Sequence, residues 1–220
     1  MSLLERFNTI KSTIPANVTL VAVSKTYPNE VIQEAYNLGQ RVFGENRVQE
    51  LTSKYDALPK DIEWHLIGHL QKNKVKYIAS FVKLIHAVDS LELLQTIENE
   101  GRKINRKIPC LIQIHIAQED TKFGLSPDEV NTFFESAEVK NLAFADIQGL
   151  MGMATFTDNL IQVKEEFETL AQLFETVKSK SHSYLPNFNQ LSMGMSGDYA
   201  IAIEKGSTMV RIGSALFGAR

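Results

Sequence analysis

The feature that most constrains the fold is a regular alternation of short apolar segments with amphipathic helical patterns along the chain. Residues 18–25 have six apolar or β-branched side chains in their first seven positions, which is typical of a strand buried on both faces of a parallel sheet. Seven similar segments follow, and helical patterns lie between them. The predicted strands are residues 18–25, 41–44, 62–68, 84–88, 110–116, 146–153, 189–193 and 208–213.

This alternation of strands and helices predicts a single α/β domain over residues 1–220, folded as a (β/α)8 barrel of the TIM type. An open doubly wound sheet is the alternative. That fold usually has fewer strands, and no G-x-G-x-x-G motif follows the first predicted strand. The sequence ends seven residues after the last predicted strand, so we expect no second, β-rich domain.

Composition and charge exclude several classes of protein. Lys and Arg number 23 against 26 Asp and Glu, so the net charge of −3 provides no basic field for nucleic acid or anionic membranes. No uncharged apolar run approaches the length of a membrane span, and residues 1–10 lack the apolar block of a signal peptide. The single cysteine, Cys110, is expected in the core. We expect a cytoplasmic protein, and no metal site because no histidines and carboxylates have ligand spacing.

Local signals predict where several helices begin and end. Pro28 favours a helix start after the first strand, and Gly39 stands where a left-handed residue would end that helix. Asp89 is a predicted N-cap because a glutamate follows it three residues later. Ser126 and Ser196 predict two further helix starts.

Chemistry in a barrel is expected at the carboxyl ends of its strands, and the first strand ends in Lys25. An amine half buried at that rim loses hydration, which favours its neutral, nucleophilic form. The alternative is a lysine that only marks the strand end and extends to water. Residues 192–196 and 213–214 combine hydroxyls with glycines that expose backbone N–H groups, as phosphate sites do. These glycines could instead only permit tight turns.

Lys25, the two glycine-containing segments and Arg211 together indicate one ligand. Pyridoxal 5'-phosphate (PLP) carries an aldehyde, a phosphate and a ring nitrogen, and each would have a counterpart. A guanidinium only donates hydrogen bonds, so Arg211 facing the ring nitrogen would hold that nitrogen unprotonated. The ring would then be a weak electron sink, which restrains carbanion chemistry such as transamination.

Several motifs carry a resemblance that runs nearly from end to end of the chain. They are AVSKT at 22–26, FGENRVQE at 43–50, WHLIGHLQKNK at 64–74, GLM at 149–151, LSMGMS at 191–196 and GSTMVRIG at 206–213. With these motifs the chain resembles the pyridoxal phosphate homeostasis protein family. That family is similar to the barrel domain of alanine racemase and lacks its second, β-rich domain. The resemblance implies a protein that binds PLP and influences its cellular supply, without an established turnover reaction.

The resemblance also implies which residues contact the cofactor. The implied contacts are Lys25, Asn46, His65, Ser192, Arg211, Gly213 and Ser214. Lys25 would form a Schiff base, Arg211 would face the ring nitrogen, and the two serines with the glycine would hold the phosphate. Asn46 lies in the motif near the ring. His65 points to the same mouth, although a barrel-lining histidine bonded to a neighbour is an equally good interpretation.

Two positions stand apart from this assignment. Many family members carry a basic residue before Gly149, where this chain has Gln148, so a charge on the sixth strand has no predicted role here. Lys122, near the end of the fifth strand, could accept the aldehyde or contact an anion. A solvated loop lysine is the favoured interpretation of Lys122.

The favoured hypothesis is a protein that holds, buffers or delivers PLP, with PLP-dependent apo-enzymes as possible recipients. The alternative is a PLP-dependent amino-acid racemase, with Lys25 as catalytic base on one face of the substrate. Tyr27 and Tyr199 are near in sequence, but nothing in the sequence places either one opposite Lys25. A third hypothesis is a barrel for another phosphorylated metabolite. Without a dimerising domain, we expect a monomer.

Overall fold

A computed structural model describes residues 1–119, 123–181 and 183–218 of the chain. Its strands are β1 (Thr19–Val23), β2 (Val42–Glu45), β3 (Glu63–Leu66), β4 (Leu84–Val88), β5 (Ile108–Ile114), β6 (Ala145–Gly152), β7 (Gln190–Ser192) and β8 (Met209–Ile212). Every strand is parallel to its neighbours, and β8 pairs with β1 to close a barrel in chain order. The predicted (β/α)8 barrel is therefore confirmed, and the open sheet is excluded.

Helices surround this barrel. They are α1 (Leu3–Thr13), α2 (Asn29–Asn37), α3 (Val48–Ala57), α4 (Val75–Ile78), α5 (Leu91–Ile104), α6 (Glu129–Glu135), α7 (Ala137–Lys140), α8 (Leu160–Ser181), α9 (Tyr199–Glu204) and α10 (Ser214–Phe217). A short 3-10 turn, Lys72–Lys74, precedes α4. Over the residues that the structure describes, no helix has both the length and the apolar character needed to cross a bilayer.

The predicted ends of α2 are confirmed, and the predicted start of α5 is wrong by one residue. Pro28 precedes α2, and Gly39 follows it with a φ of 96°. Ser90, not Asp89, caps α5, because the Ser90 hydroxyl accepts the Leu93 N–H at 3.3 Å. A hydroxyl and a carboxylate are comparably good caps, so adjacent candidates leave the choice to tertiary contacts.

Neither Ser126 nor Ser196 starts a helix, contrary to prediction. The N–H and hydroxyl of Ser126 both donate to the Glu129 carboxylate at 2.8 Å, so this contact closes a turn before α6. Ser196 Oγ instead accepts the N–H groups of Gly213 and Ala215, each at 3.3 Å. The hydroxyl of Ser196 is therefore committed to another strand end, and α9 begins further along the chain.

Side chains alternate between the inside and the outside of the barrel wall, which produces two packing layers. The inside is filled by Val21, Leu84, Ala87, Leu111, Met151 and Met209. The larger apolar layer lies between the barrel and the helices and contains Cys110, as expected of a core cysteine. Burial raises the pKa of its thiol, so Cys110 is a packing residue rather than a nucleophile.

A bulge in β6 turns the side chain of Gln148 away from the barrel interior. The pairing of β6 with β5 shifts there, because Cys110 is level with Ile147 and the next residue of β5 is level with Gly149. Gly149 has a φ of 154°, and a Cβ would lie 1.7 Å from the carbonyl oxygen of Gln190. Only glycine fits this approach of β6 to β7. Gln148, the extra residue, donates to Asp146 rather than facing the barrel interior.

Candidate functional site

A cavity of about 600 Å³ opens at the carboxyl ends of the strands. Its polar lining consists of Lys25, Tyr27, Asn46, Ser196, Asp198, Arg211 and Ser214. Apolar and glycine residues complete the wall, notably Ile67, Met153, Phe156, Met195 and Gly213. The sequence-predicted residues Lys25, Asn46, Arg211, Gly213 and Ser214 therefore surround one common space.

The register of the barrel sets the height of Lys25 and Asn46. Val23 of β1 is level with Gly44 of β2, which is level with His65 of β3. Lys25 and Asn46 each lie two residues further along the chain. Residues two apart on a strand face the same side, so both side chains take inward positions one layer above His65. Gly68 fixes the exit of β3 against Asn46, because a Cβ at Gly68 would lie 2.5 Å from the Asn46 carbonyl oxygen.

Below this rim, buried polar side chains form a hydrogen-bonded row that we call the inner network: His65, His86, Ser192 and Arg211. His65 Nδ1 lies 2.9 Å from His86 Nε2, and His86 Nδ1 lies 3.0 Å from Ser192 Oγ. Arg211 donates to Ser192 Oγ at 2.6 Å and to the Ser192 carbonyl at 2.9 Å. A further N–H of Arg211 donates to the Gly152 carbonyl at 3.0 Å. The network thus links β3, β4, β6, β7 and β8.

One direction in the inner network is fixed: a guanidinium can only donate, so Ser192 Oγ accepts from Arg211. The Ser192 hydroxyl keeps its own proton, which it can donate to His86 Nδ1. In that arrangement His86 carries its proton on Nε2 and donates to His65 Nδ1. Burial and the charge of Lys83 lower the pKa of His65 to about 3, and burial, the adjacent His65 ring and the charge of Arg211 lower the pKa of His86. Both imidazoles are neutral at physiological pH, as this row requires.

Arg211 stays charged at the base of the cavity. Burial lowers its pKa to about 10, which leaves the guanidinium protonated at neutral pH. Its hydrogen-bond acceptors in the described part of the chain are two carbonyl oxygens and one hydroxyl, and none is a carboxylate. These bonds use three of the five N–H groups of a guanidinium, so Arg211 has donor capacity left for a ligand in the cavity that it lines.

Two backbone N–H groups converge on one side of the cavity. Those of Gly213 and Ala215 both point to Ser196 Oγ, which holds the position that an anionic oxygen would need. The chain reaches this position through Gly194, whose φ is 95°. A Cβ at Gly194 would lie 2.6 Å from Ala202 Cβ, so glycine lets the loop after β7 pack on α9. The arrangement fits a phosphate group.

The structure does not bring every predicted residue to the cavity wall. Ser192 and His65 belong to the inner network, one layer deeper, and Ser192 is fully buried. The hydroxyl beside the cavity after β7 is that of Ser196. Lys122 lies outside the described residues. Sequence reasoning missed Phe156, which follows β6 and lines the mouth with 98% of its surface exposed.

Comparison with known proteins places the chain in a family. Residues 2–220 match the family model of the alanine racemase N-terminal domain. The pyridoxal phosphate homeostasis protein of Aquifex aeolicus is 43% identical over 203 residues, which cover 91% of this chain and 86% of the relative. The pyridoxal phosphate homeostasis protein of Vibrio alginolyticus is 40% identical over 212 residues, which cover 94% of this chain and 88% of the relative.

Solved structures agree with this assignment. PipY of Synechococcus elongatus is 32% identical and superposes with a TM-score of 0.91 without PLP and 0.87 with PLP bound. Each match covers 99% of this chain and 100% of PipY. An alanine racemase of Clostridium difficile is 16% identical, has a TM-score of 0.74 and is covered over 56% of its length, which shows a shared fold alone. The chain belongs to the pyridoxal phosphate homeostasis protein family, whose barrel is that of the alanine racemase N-terminal domain.

Proposed function

We propose that this chain binds PLP in the cavity at the carboxyl ends of its strands and serves PLP homeostasis by holding, buffering or delivering the cofactor. One observation carries the proposal. An amine, a permanent hydrogen-bond donor and a pair of converging backbone N–H groups all border the same cavity, through Lys25, Arg211 and the 213–215 segment. These are the counterparts of an aldehyde, a ring nitrogen and a phosphate.

The residues present fit this cofactor. Bound PLP supplies an aldehyde, which condenses reversibly with a lysine amine to a Schiff base and releases water. In this proposal Lys25 provides the amine, and Ser196, Gly213 and Ser214 hold the phosphate. Ser192 takes a different role from the one predicted, since its hydroxyl accepts from Arg211 and orients the guanidinium.

Arg211 would limit the chemistry of the bound cofactor. The guanidinium donates and has no proton acceptor, so it favours an unprotonated ring nitrogen. Its fixed position on Ser192 and Gly152 keeps that donor in place without a ligand. A weak electron sink suits storage and release of PLP better than turnover of amino acids. His65 and His86 are neutral and extend this support behind Arg211.

The relatives support the same proposal. The curated relatives carry the name pyridoxal phosphate homeostasis protein, and PipY has been solved with PLP bound. PLP binding by this chain is the common expectation from those proteins and from the residues around the cavity.

The test is titration of the purified protein with PLP. A Schiff base should appear as an absorption band at about 420 nm, and borohydride reduction followed by peptide mass spectrometry should locate the adduct on Lys25. Lys25→Ala should lose the band. Lys103→Ala, which changes an exposed lysine of α5, is the matched control and should keep it. A wild-type protein without the band would contradict the proposal and favour another phosphorylated metabolite.

The racemase alternative needs a second acid or base opposite Lys25. The Tyr27 hydroxyl donates to the Gly218 carbonyl at 2.7 Å, and the Tyr199 hydroxyl lies 3.0 Å from Thr13 Oγ. Neither contact favours a racemase. Incubation of the PLP-loaded protein with single-enantiomer amino acids in deuterated water is the discriminating measurement. Rapid exchange of the α-proton would support turnover, and its absence would support the homeostasis role.

Delivery to apo-enzymes by a monomer is part of the proposal. Transfer is tested by mixing the loaded protein with a PLP-dependent apo-enzyme and following recovery of that enzyme's activity. Free PLP at the same concentration is the control, and faster recovery from the loaded protein is expected. Sedimentation analysis would give the oligomeric state, with one copy expected.

A further inference from the structure

A second buried polar group lies on the outer side of the barrel wall, directly behind Lys25. We call it the outer cluster: Ser24, Glu45, Glu50 and Lys54. Ser24 and Glu45 are at the ends of β1 and β2 and point outward, and the other two residues project from α3. None of these residues lines the cavity. The function proposed above does not use them.

Lys54 is the centre of the outer cluster. Its ammonium group donates to Glu45 Oε1 at 2.8 Å, to Glu50 Oε1 at 2.7 Å and to the Ser24 carbonyl at 2.8 Å. The side chain of Lys54 is 6% exposed, that of Glu45 is fully buried, and that of Glu50 is 23% exposed. The Ser24 hydroxyl also donates to Glu45 Oε1, at 2.6 Å. Three ionisable groups are thus withdrawn from water at one place.

The outer cluster holds both peptide groups that flank Lys25. The Ser24 carbonyl, bound by Lys54, belongs to the peptide group before Lys25. The Thr26 N–H, bound by Glu50, belongs to the peptide group after it. One ion pair on α3 therefore fixes the backbone on either side of the amine-bearing residue, and it does so from outside the cavity.

The backbone held in this way is strained. Thr26 has a φ of 67°, a left-handed conformation that is costly for a β-branched residue. Strain of this kind persists where the surroundings impose it, and it concentrates at functional sites. Two hydrogen bonds hold the turn here: Thr26 N–H donates to Glu50, and the Tyr27 N–H donates to the Ser24 carbonyl at 3.1 Å. The turn redirects the chain immediately after Lys25.

Stability alone gives a poor reason for this arrangement. Desolvating buried ions costs about as much as their attraction returns, and apolar replacements are often neutral or stabilising. Burial raises the pKa of Glu45 in spite of the hydrogen bonds from Lys54 and Ser24. Glu45 Oε2 has no hydrogen-bond partner among the described residues. Burying the carboxylate of Glu45 next to Lys25 is therefore electrostatically unfavourable for the folded protein.

We propose that Glu50 and Lys54 are positioning residues, which hold the backbone of Lys25 so that its amine enters the cavity at the height of Asn46. The inference rests on the proposed function, since it assigns these residues to the amine that would bind the aldehyde of PLP. Neither Glu50 nor Lys54 contacts the cofactor space. They act on Lys25 through its two flanking peptide groups.

The test separates covalent capture from binding. Glu50→Ala removes the acceptor for Thr26 N–H, whereas Glu50→Gln keeps a carbonyl oxygen in its place. Glu98→Ala is the matched control, because Glu98 is also a helix glutamate in an i,i+4 ion pair, is itself buried, and accepts the N–H groups of residues 143–145. That contact lies at the opposite end of the barrel, where β6 begins.

Three measurements are made on each protein. Borohydride trapping with PLP gives the fraction of Lys25 that is covalently linked. Calorimetry with pyridoxine 5'-phosphate, which has an alcohol in place of the aldehyde, gives binding without the covalent bond. Hydrogen exchange of the Thr26 amide in the cofactor-free protein reports the backbone directly.

We expect Glu50→Ala to reduce covalent linkage and to speed Thr26 exchange by about tenfold each. Its affinity for pyridoxine 5'-phosphate should stay within about twofold, because the phosphate contacts remain. Glu50→Gln should recover most of the linkage, and Glu98→Ala should change neither linkage nor Thr26 exchange. Unchanged linkage in Glu50→Ala would overturn this inference and leave the proposed function standing. A loss of pyridoxine 5'-phosphate binding in parallel with the loss of linkage would do the same. A wild-type protein that never links PLP would overturn the proposed function as well.

Discussion

The inner network and the outer cluster are two buried polar groups, one inside the barrel wall and one outside it. They differ in how their buried charges are compensated. The inner network contains a single charged group, Arg211, whose acceptors are carbonyl and hydroxyl oxygens. The outer cluster pairs the ammonium of Lys54 with two carboxylates. Lys25 extends from the strand end between them.

This difference indicates a division of roles. Inside the barrel, the imidazoles are neutral, and the guanidinium of Arg211 is held by carbonyl and hydroxyl oxygens and retains donor capacity for a ligand. Outside, opposite charges satisfy one another and their remaining contacts go to the backbone around Lys25. The inner network would act on the cofactor, and the outer cluster on the residue that captures it. Breaking each group in turn separates the two roles.

The largest expected effect on stability comes from the centre of the outer cluster. Lys54→Met removes the cation that binds the buried Glu45 and the partly buried Glu50, and breaking a buried pair in this way costs about 3–5 kcal/mol. Urea unfolding followed by the fluorescence of Trp64, which is 1% exposed, gives the free energy of unfolding. Lys103→Met, in an exposed ion pair, should cost less than about 1 kcal/mol. Equal losses in the two variants would contradict this view of the outer cluster.

Removing the charge of the inner network should cost less. Arg211→Met removes the guanidinium donor from the Ser192 and Gly152 carbonyls, which costs about 1–3 kcal/mol, but it strands no buried ion-pair partner. The same urea experiment measures the loss. PLP binding should suffer more than stability, in contrast with Lys54→Met. A larger loss of stability than in Lys54→Met would reverse the comparison between the two groups.

The two groups should also differ in their response to acid. The pKa of His65 is about 3 when folded and ordinarily 6.5, so the unfolded chain binds the proton first and stability falls as pH drops through this window. Between about pH 7 and pH 5.5 this loss is about 1 kcal/mol for one imidazole. In His65→Gln the free energy of unfolding should depend less on pH by that amount. An unchanged pH dependence would mean that folding does not lower the pKa of His65.

In the outer cluster, the two carboxylates make stability depend on pH in opposite directions. Burial opposes ionisation of Glu50, but the hydrogen bonds from Lys54 and Thr26 outweigh it and lower its pKa. Glu50 therefore contributes stability that is lost as pH falls through its folded pKa. The raised pKa of Glu45 contributes stability that is lost as pH rises. Partial cancellation makes the acid response of His65 easier to isolate.

The sequence was sufficient for the barrel and for much of the cavity, because both depend on local periodicity. Strand β4 spans the predicted residues 84–88, and alternation along β1, β2 and β8 places Lys25, Asn46 and Arg211 on the inner face. The same three positions lie in three of the motifs that carry the family resemblance. Spacing along single strands predicts that these positions lie near strand ends, and the resemblance implied that Asn46 contacts the cofactor.

Features that depend on tertiary contacts escaped prediction. Lys54 has helical spacing from the apolar Leu51 and Leu58, but a lysine is ordinarily expected at the surface, and the packing of α3 on the barrel buries it beside Glu45. Two serines follow one another closely after β7, and the left-handed Gly194 decides that Ser196 borders the cavity while Ser192 is buried. The β6 bulge at Gly149 also depends on the approach of β7. No local pattern distinguishes these outcomes.

The smallest expected effect tests the strain that the outer cluster imposes. Thr26→Gly removes an exposed side chain from a φ of 67°, so the protein should gain about 0.5 kcal/mol, the relief of strain less the added chain entropy. Asn105→Gly is the matched control at a φ of 50°, and it should gain less because asparagine tolerates this conformation. Thermal unfolding measures both. If Thr26→Gly also lowers covalent capture of PLP, the strain holds Lys25 in place; a loss of stability would instead show that the left-handed turn is relaxed.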